Sequence, residues 1–177
     1  MRDLEIRGAG EILGEKQSGL IDYVGLSLFS SMINRSIKLL EGIDETHEEF
    51  EVKIGENGFI PETFIPQTEV RLEIYKKFSS VKNTENLNQL VKEIEDRFGA
   101  LPEDIKILVN LTCIRIESSK LLITKIKGDN KKCTLSLSDN SNLVSKNSSL
   151  REISINYPEK IYSKSEFLLN NLKSVSN

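Results

Sequence analysis

The 177-residue sequence has little of the material from which catalytic and metal centres are built: one histidine, His47, and two cysteines, Cys113 and Cys133. Two thiols are too few for a disulfide framework or a four-cysteine zinc site. Both lie among apolar residues and are expected as small core side chains. His47 sits in an acidic stretch with no cysteine near it, and is expected at the surface rather than as a ligand or base. No run approaches about 18 consecutive apolar residues, which excludes a helical membrane span. Met1-Arg2-Asp3-Leu4-Glu5 lacks the apolar core of a secretory leader, so a cytoplasmic protein is expected. There is no GxxxxGK[ST] loop to wrap nucleotide phosphates. Gly8-Ala9-Gly10 followed by Gly14 has the wrong spacing for a dinucleotide loop, and no apolar strand runs into it. No nucleophile–base pair can be assembled. The expectation is a chain with no catalytic residue, metal or cofactor of its own.

What is present is charge, unevenly placed. Lys and Arg total 24 against 27 Asp and Glu, a net charge of -3, which argues against a free-standing nucleic-acid binder. Between Gly42 and Pro66, Lys53 stands alone against Asp44, Glu45, Glu48, Glu49, Glu51, Glu56 and Glu62. Such a stretch reads as a solvated connector or as a docking strip for a basic partner. Beyond Leu122 basic residues predominate among many Ser and Asn. The joints suggest three parts: 1–41, a connector with a short strand at 42–66, and a domain at 67–177.

Periodicity supplies the elements. Phe29, Met32, Ile33, Ile37 and Leu40 mark one face of a helix stopped by Gly42. Phe50 to Ile54 alternates as a half-buried strand. Thr68 is placed to cap a helix burying Val70, Ile74 and Phe78, flanked by Leu72 and Tyr75. Thr84 is placed to cap the next, whose apolar face is Leu87, Leu90, Val91, Ile94 and Phe98, with Gly99 as its stop. Pro102, Glu103 and Asp104 suit the first turn of a third helix running to about Leu121 and burying Ile107, Leu111 and Ile114. A hairpin turning at Gly128-Asp129-Asn130 follows, with Cys133, Leu135 and Leu137 on one face. Asp139 to Ser149 is polar enough for a long loop. A strand at Ile153 and Ile155 and a helix through Leu168, Leu169 and Leu172, capped by Ser165, complete the chain. The fold class expected is α+β: a helical hairpin and loop, then about four helices with a small, mainly antiparallel sheet.

The glycine-punctuated start carries the most specific motif. Asp3-Leu4-Glu5-Ile6-Arg7-Gly8-Ala9-Gly10, then Leu13-Gly14-Glu15-Lys16-Gln17-Ser18-Gly19, sets an arginine and an amide among tight turns. On the residues alone this is either a capped connector or a rigid presentation of Arg7 and Gln17. The run resembles the motif that follows the second motor domain in the RecG and Mfd families of double-stranded DNA translocases. Val24-Gly25-Leu26-Ser27-Leu28-Phe29 fits its continuation. Phe64-Ile65-Pro66, Arg71-Leu72-Glu73-Ile74-Tyr75-Lys76 and Asp96-Arg97-Phe98-Gly99-Ala100-Leu101-Pro102 resemble the C-terminal domain of the Mfd family, with likeness from Asp3 to about Lys127.

The resemblance implies a longer protein, with an ATP- and Mg-dependent motor of helicase superfamily 2, an RNA polymerase-binding module and a UvrB-like domain upstream. It implies that Arg7, Gln17, Gly8 and Gly10 couple hydrolysis to movement along double-stranded DNA. It also implies that the C-terminal domain packs on the UvrB-like domain and covers the surface that recruits UvrA. Glu93, Asp96 and Arg97 match the family's E-x-x-D-R-F-G run and share a helix face, so they are the candidate docking residues. Two alternatives stand beside this reading. One is a nucleic-acid-binding module using Lys125, Lys127, Lys131 and Lys132, which flank the hairpin without an aromatic platform. The other is a RecG-type C-terminus, against which the long domain after Phe64 argues.

Overall fold

The computed structural model describes residues 50–141 and 151–176. Arg7, Gly8, Gly10, Gln17, the helix expected after Phe29, His47 and most of the polar stretch expected as a loop lie outside the described residues.

The alternating segment after Phe50 forms β1 (Glu51–Lys53). Three helices follow, α1 (Thr68–Ser80), α2 (Thr84–Phe98) and α3 (Glu103–Lys120). The hairpin is β2 (Ile123–Gly128) with β3 (Lys132–Leu137), and β4 (Glu152–Asn156) and α4 (Lys164–Ser176) end the chain. The sheet runs β1-β2-β3-β4; β1 lies parallel to β2 and the other pairs are antiparallel. This is the α+β architecture expected, with a mixed and mainly antiparallel sheet.

The parallel pairing of β1 draws the described part of the acidic stretch, from Glu51 on, into the domain. Lys53 lies beside Lys127 and Glu51 beside Lys125. Ile54, Ile60 and Ile65 then enter the same core as the helices. Gly58 makes the approach possible, since a Cβ there would stand 2.2 Å from the backbone nitrogen of Leu108 in α3.

Strand periodicity divides the sheet into two unlike faces. Ile126, Cys133, Leu135 and Leu137 are buried, with Ile153 and Ile155 half-buried beside them. The opposite face carries Lys53, Lys127, Lys132, Glu152 and Ser154, all exposed. Helix α3 packs against β2, α2 and α4, so it is enclosed on several sides. Its buried set is therefore broad, including Ile105, Leu108, Thr112, Ile114, Ile116 and Glu117. Ile107 and Leu111, expected in the core, are only half-buried. An enclosed helix is apolar on most sides, and its period does not select one face. On α1 the expected Val70 is half-buried, while Tyr75 and Arg71 lie inside.

Helix ends differ from expectation by a residue or two. Asn83, not Thr84, caps α2, its Oδ1 accepting from the Asn86 N–H at 2.8 Å. The Thr84 hydroxyl instead donates to Glu117 at 3.4 Å. At α1 the cap position is Gln67, whose side chain makes no capping bond. Ser163 rather than Ser165 caps α4, its Oγ accepting from the Glu166 N–H at 3.2 Å. Gly99 ends α2 with a φ of 94°, as expected of a glycine stop. No helix among the described residues is long and apolar enough to cross a membrane.

Candidate docking site

Helix α2 owes its orientation to a strongly one-sided sequence. Leu87, Leu90 and Ile94 are buried, which turns Glu93, Asp96 and Arg97 to solvent on its outer side. Glu85 in the first turn and Arg97 in the last both complement the helix dipole.

Two of the three candidates are held. Lys77 of α1 reaches across to Glu93, Nζ to Oε1 2.6 Å, and also lies 3.6 Å from Glu73. The hydrogen bond that Lys77 donates to Glu93 raises the Lys77 pKa above its ordinary value, so the amine stays charged. The Arg97 guanidinium sits 4.9 Å above the Phe98 ring, whose partner Phe64 stands 6.0 Å away, centroid to centroid. Phe98 thus anchors the end of α2 to the 61–66 segment while orienting Arg97 over its face. Asp96 is exposed beside them.

The ground beneath this face is fixed by polar fastenings that the sequence reading did not anticipate. Arg71 is 1% exposed, and its Nη1 donates to the carbonyls of Ile65 at 2.9 Å and Pro66 at 3.0 Å. The Ile60 N–H donates to the Tyr75 hydroxyl at 2.8 Å. From α3, Arg115 Nη2 donates to the carbonyls of Phe78 at 3.0 Å and Val81 at 2.8 Å, closing the end of α1. Burial lowers the Arg115 pKa from its ordinary value. Between α1 and α2 runs a shallow groove of about 320 Å³, with Val81 and Leu90 in its lining and Lys77 and Glu93 among its polar residues. The Glu73–Lys77 spacing signals a helical ion pair in the sequence. The bond from Lys77 to Glu93, sixteen residues away, has no such local signal.

The arrangement suits recognition between charged surfaces. Both cysteines are buried, and burial pushes their thiols up, Cys133 to about 11, which makes them poor nucleophiles at neutral pH. Among the described residues no group of three or more His, Cys, Asp and Glu is placed to hold a metal ion. Arg7, Gln17, Gly8 and Gly10 lie outside the described residues.

Comparison with known proteins places the fold. The TRCF domain family matches residues 54–148, extending past Lys127, where the sequence likeness was expected to fade. The transcription-repair-coupling factor of Escherichia coli (strain K12) is 36% identical over 135 residues, covering 73% of this chain and 12% of that protein. That of Bacillus subtilis (strain 168) is 34% identical over 163 residues, covering 91% of this chain and 14% of its own length. The chain therefore spans about an eighth of the length of these relatives. A crystal structure of the C-terminal domain of transcription-repair coupling factor superimposes with a TM-score of 0.58 at 18% identity, covering 73% of this chain and 97% of that one. At that identity the likeness shows the fold.

Proposed function

The chain belongs to the transcription-repair-coupling-factor family, and from that premise we propose that it is the regulatory C-terminal end of a cytoplasmic, ATP-dependent translocase on double-stranded DNA. In this reading the full protein displaces stalled RNA polymerase and recruits excision repair, with ATP and Mg bound by a motor outside this sequence. The domain beginning near Phe50 docks through Glu93, Asp96 and Arg97 on the protein's own UvrB-like domain, and so hides the surface that binds UvrA.

The observation that carries this reading is the geometry of α2. Glu93, Asp96 and Arg97 of the segment matching the family's E-x-x-D-R-F-G run lie together on an exposed face, with Glu93 and Arg97 already oriented by Lys77 and Phe98. Exposed ion pairs contribute only about 0–1 kcal/mol each. A few of them hold a closed state that remains reversible, since a coupling of about 1–3 kcal/mol is enough for regulation.

A test in trans is direct. The separately prepared UvrB-like domain should bind UvrA, lose that binding when this chain is added, and keep it when the added chain carries E93K, D96K and R97E. The chain is needed at high concentration, because a tether supplies an effective concentration in the millimolar range. Equal inhibition by both chains would remove the docking role.

The motif at 1–41 takes a separate part in the proposal. Arg7 and Gln17, together with Gly8 and Gly10, couple ATP hydrolysis to displacement along DNA. Arg7→Ala in the full protein should leave hydrolysis largely intact and abolish ATP-driven displacement of a DNA triplex; retained displacement would end that assignment.

A further inference from the structure

The second charged region lies at the hairpin end of the sheet, and it has no part in the docking face. The topology gathers lysines there from separated parts of the chain. Lys53 of β1 and Lys127 of β2 are register neighbours, Lys132 of β3 pairs with Asn156 of β4, and Lys131 sits in the turn between β2 and β3. Lys164 at the start of α4 reaches the same turn, its Nζ donating to Asn130 Oδ1 at 3.2 Å. Like charges placed beside each other across a strand pair are destabilising, and Lys53 beside Lys127 is such a pair.

Three carboxylates nearby are engaged, while Glu152 stands exposed on the same outer face. Glu51 is shared between Lys53 and Lys125, which hold its pKa down to about 2. Asp129 accepts from the backbone N–H groups of Lys131 at 2.6 Å and Lys132 at 2.9 Å, closing the turn. Glu56 accepts from the N–H groups of Lys164 and Ser165 and caps α4. Lys127, Lys131 and Lys132 are exposed, and no carboxylate ion-pairs with any of them among the described residues. Beside them the outer face offers Thr134 and Ser154, which the register sets in line with Lys127.

We propose that this end of the sheet is a contact surface for the phosphate backbone of duplex DNA. Charge complementarity selects a polyanion, since three exposed cations stand together with no carboxylate among the described residues within ion-pair distance of their amines, although Asp129 of the turn attracts Lys131 and Lys132. Lysines as point charges suit phosphates and carry no base readout. The outer sheet face presents Lys, Glu, Ser, Thr and Asn and no aromatic ring on which unstacked bases could lie, which favours a duplex over a single strand. The contact is sequence-independent, and it lies on a different element from Glu93, Asp96 and Arg97. Of the lysines the sequence singles out, Lys125 is drawn off by Glu51, while Lys53 and Lys164 join the group only in three dimensions.

The test is binding of this chain to a fluorescein-labelled 25-base-pair duplex of arbitrary sequence, followed by anisotropy. Three phosphate contacts predict a slope of about -2.7 for log K against log salt, so affinity should fall about 40-fold between 50 and 200 mM salt. K127E/K131E/K132E should weaken binding at least tenfold at 50 mM salt, and the milder K127Q/K131Q/K132Q serves if the reversal disturbs folding. K92E/K106E, which alters exposed lysines on α2 and α3, should change it less than twofold. Absence of salt-sensitive binding, or equal losses from the two sets, overturns the proposal. Tighter binding to a single strand of equal length, or to polyglutamate, overturns it in favour of that ligand.

Discussion

Two sets of charged residues in this domain do opposite work. Arg71, Arg115 and Glu56 are wholly or partly buried and bind backbone groups: carbonyls at the ends of segments 60–66 and α1, and N–H groups at the start of α4. Glu93, Asp96 and Arg97, and the hairpin lysines Lys127, Lys131 and Lys132, are exposed. The first set fastens backbone groups at the ends of these segments. The second sits at the surface, where groups outside the domain can reach it. Residue type does not separate them, since arginine occurs in both. Environment does, because a buried carbonyl left without a donor costs far more than an exposed ion pair gains.

That contrast predicts a graded set of stability effects, each readable by urea unfolding. Arg71→Met should be the most damaging, at about 3 kcal/mol, because it strips two carbonyls of a charged donor in the core. Arg115→Met should cost about 2 kcal/mol, since its site is less enclosed. Glu56→Gln should cost about 1 kcal/mol at neutral pH, a capping contribution. If either arginine variant proves as mild as a surface change, the distinction between fastening and recognition fails for that residue.

Glu56 also gives the comparison a pH signature. Burial pushes its pKa up, but the bonds from Ser165, Lys164 and Ser163 outweigh it, and the net value lies below the ordinary 4.5. A carboxylate with a lowered folded pKa stabilises fully above its unfolded value and loses that contribution as pH falls through the folded one. The difference in stability between the parent and Glu56→Gln should therefore be constant above about pH 5 and shrink below 4.5. A difference that grows on acidification would contradict the capping role. At the bottom of the scale, E93K/D96K/R97E should shift stability by less than about 0.5 kcal/mol, as befits surface positions. A large loss there would make the α2 face structural.

The local parts of this account were legible in the sequence and the long-range parts were not. The apolar face of α2, the glycine stop at Gly99 and the alternation through Cys133, Leu135 and Leu137 are set by residues within a few positions of one another. Asn83 and Thr84 are both competent caps, and the choice between them was made by Glu117, which takes the threonine hydroxyl from a different helix. The parallel seat of β1, the close approach at Gly58 and the burial of Arg71 depend on partners 6 to 74 residues distant, as from Ile65 to Arg71 and from Glu51 to Lys125. The proposed docking face was visible as a spacing, and the Lys77 bond that orients Glu93 was not. The lysine group was visible only in part, because Lys53 reaches Lys127 through a strand pairing that no local pattern announces.

The docking face is the centre of the account, and UvrA affinity of the full-length protein tests it most directly. The E93K/D96K/R97E protein, with its folding checked as above, should bind UvrA about 5- to 150-fold more tightly than the parent, matching a lost coupling of about 1–3 kcal/mol. Equal affinity of the two proteins, measured side by side at the same salt, would contradict it.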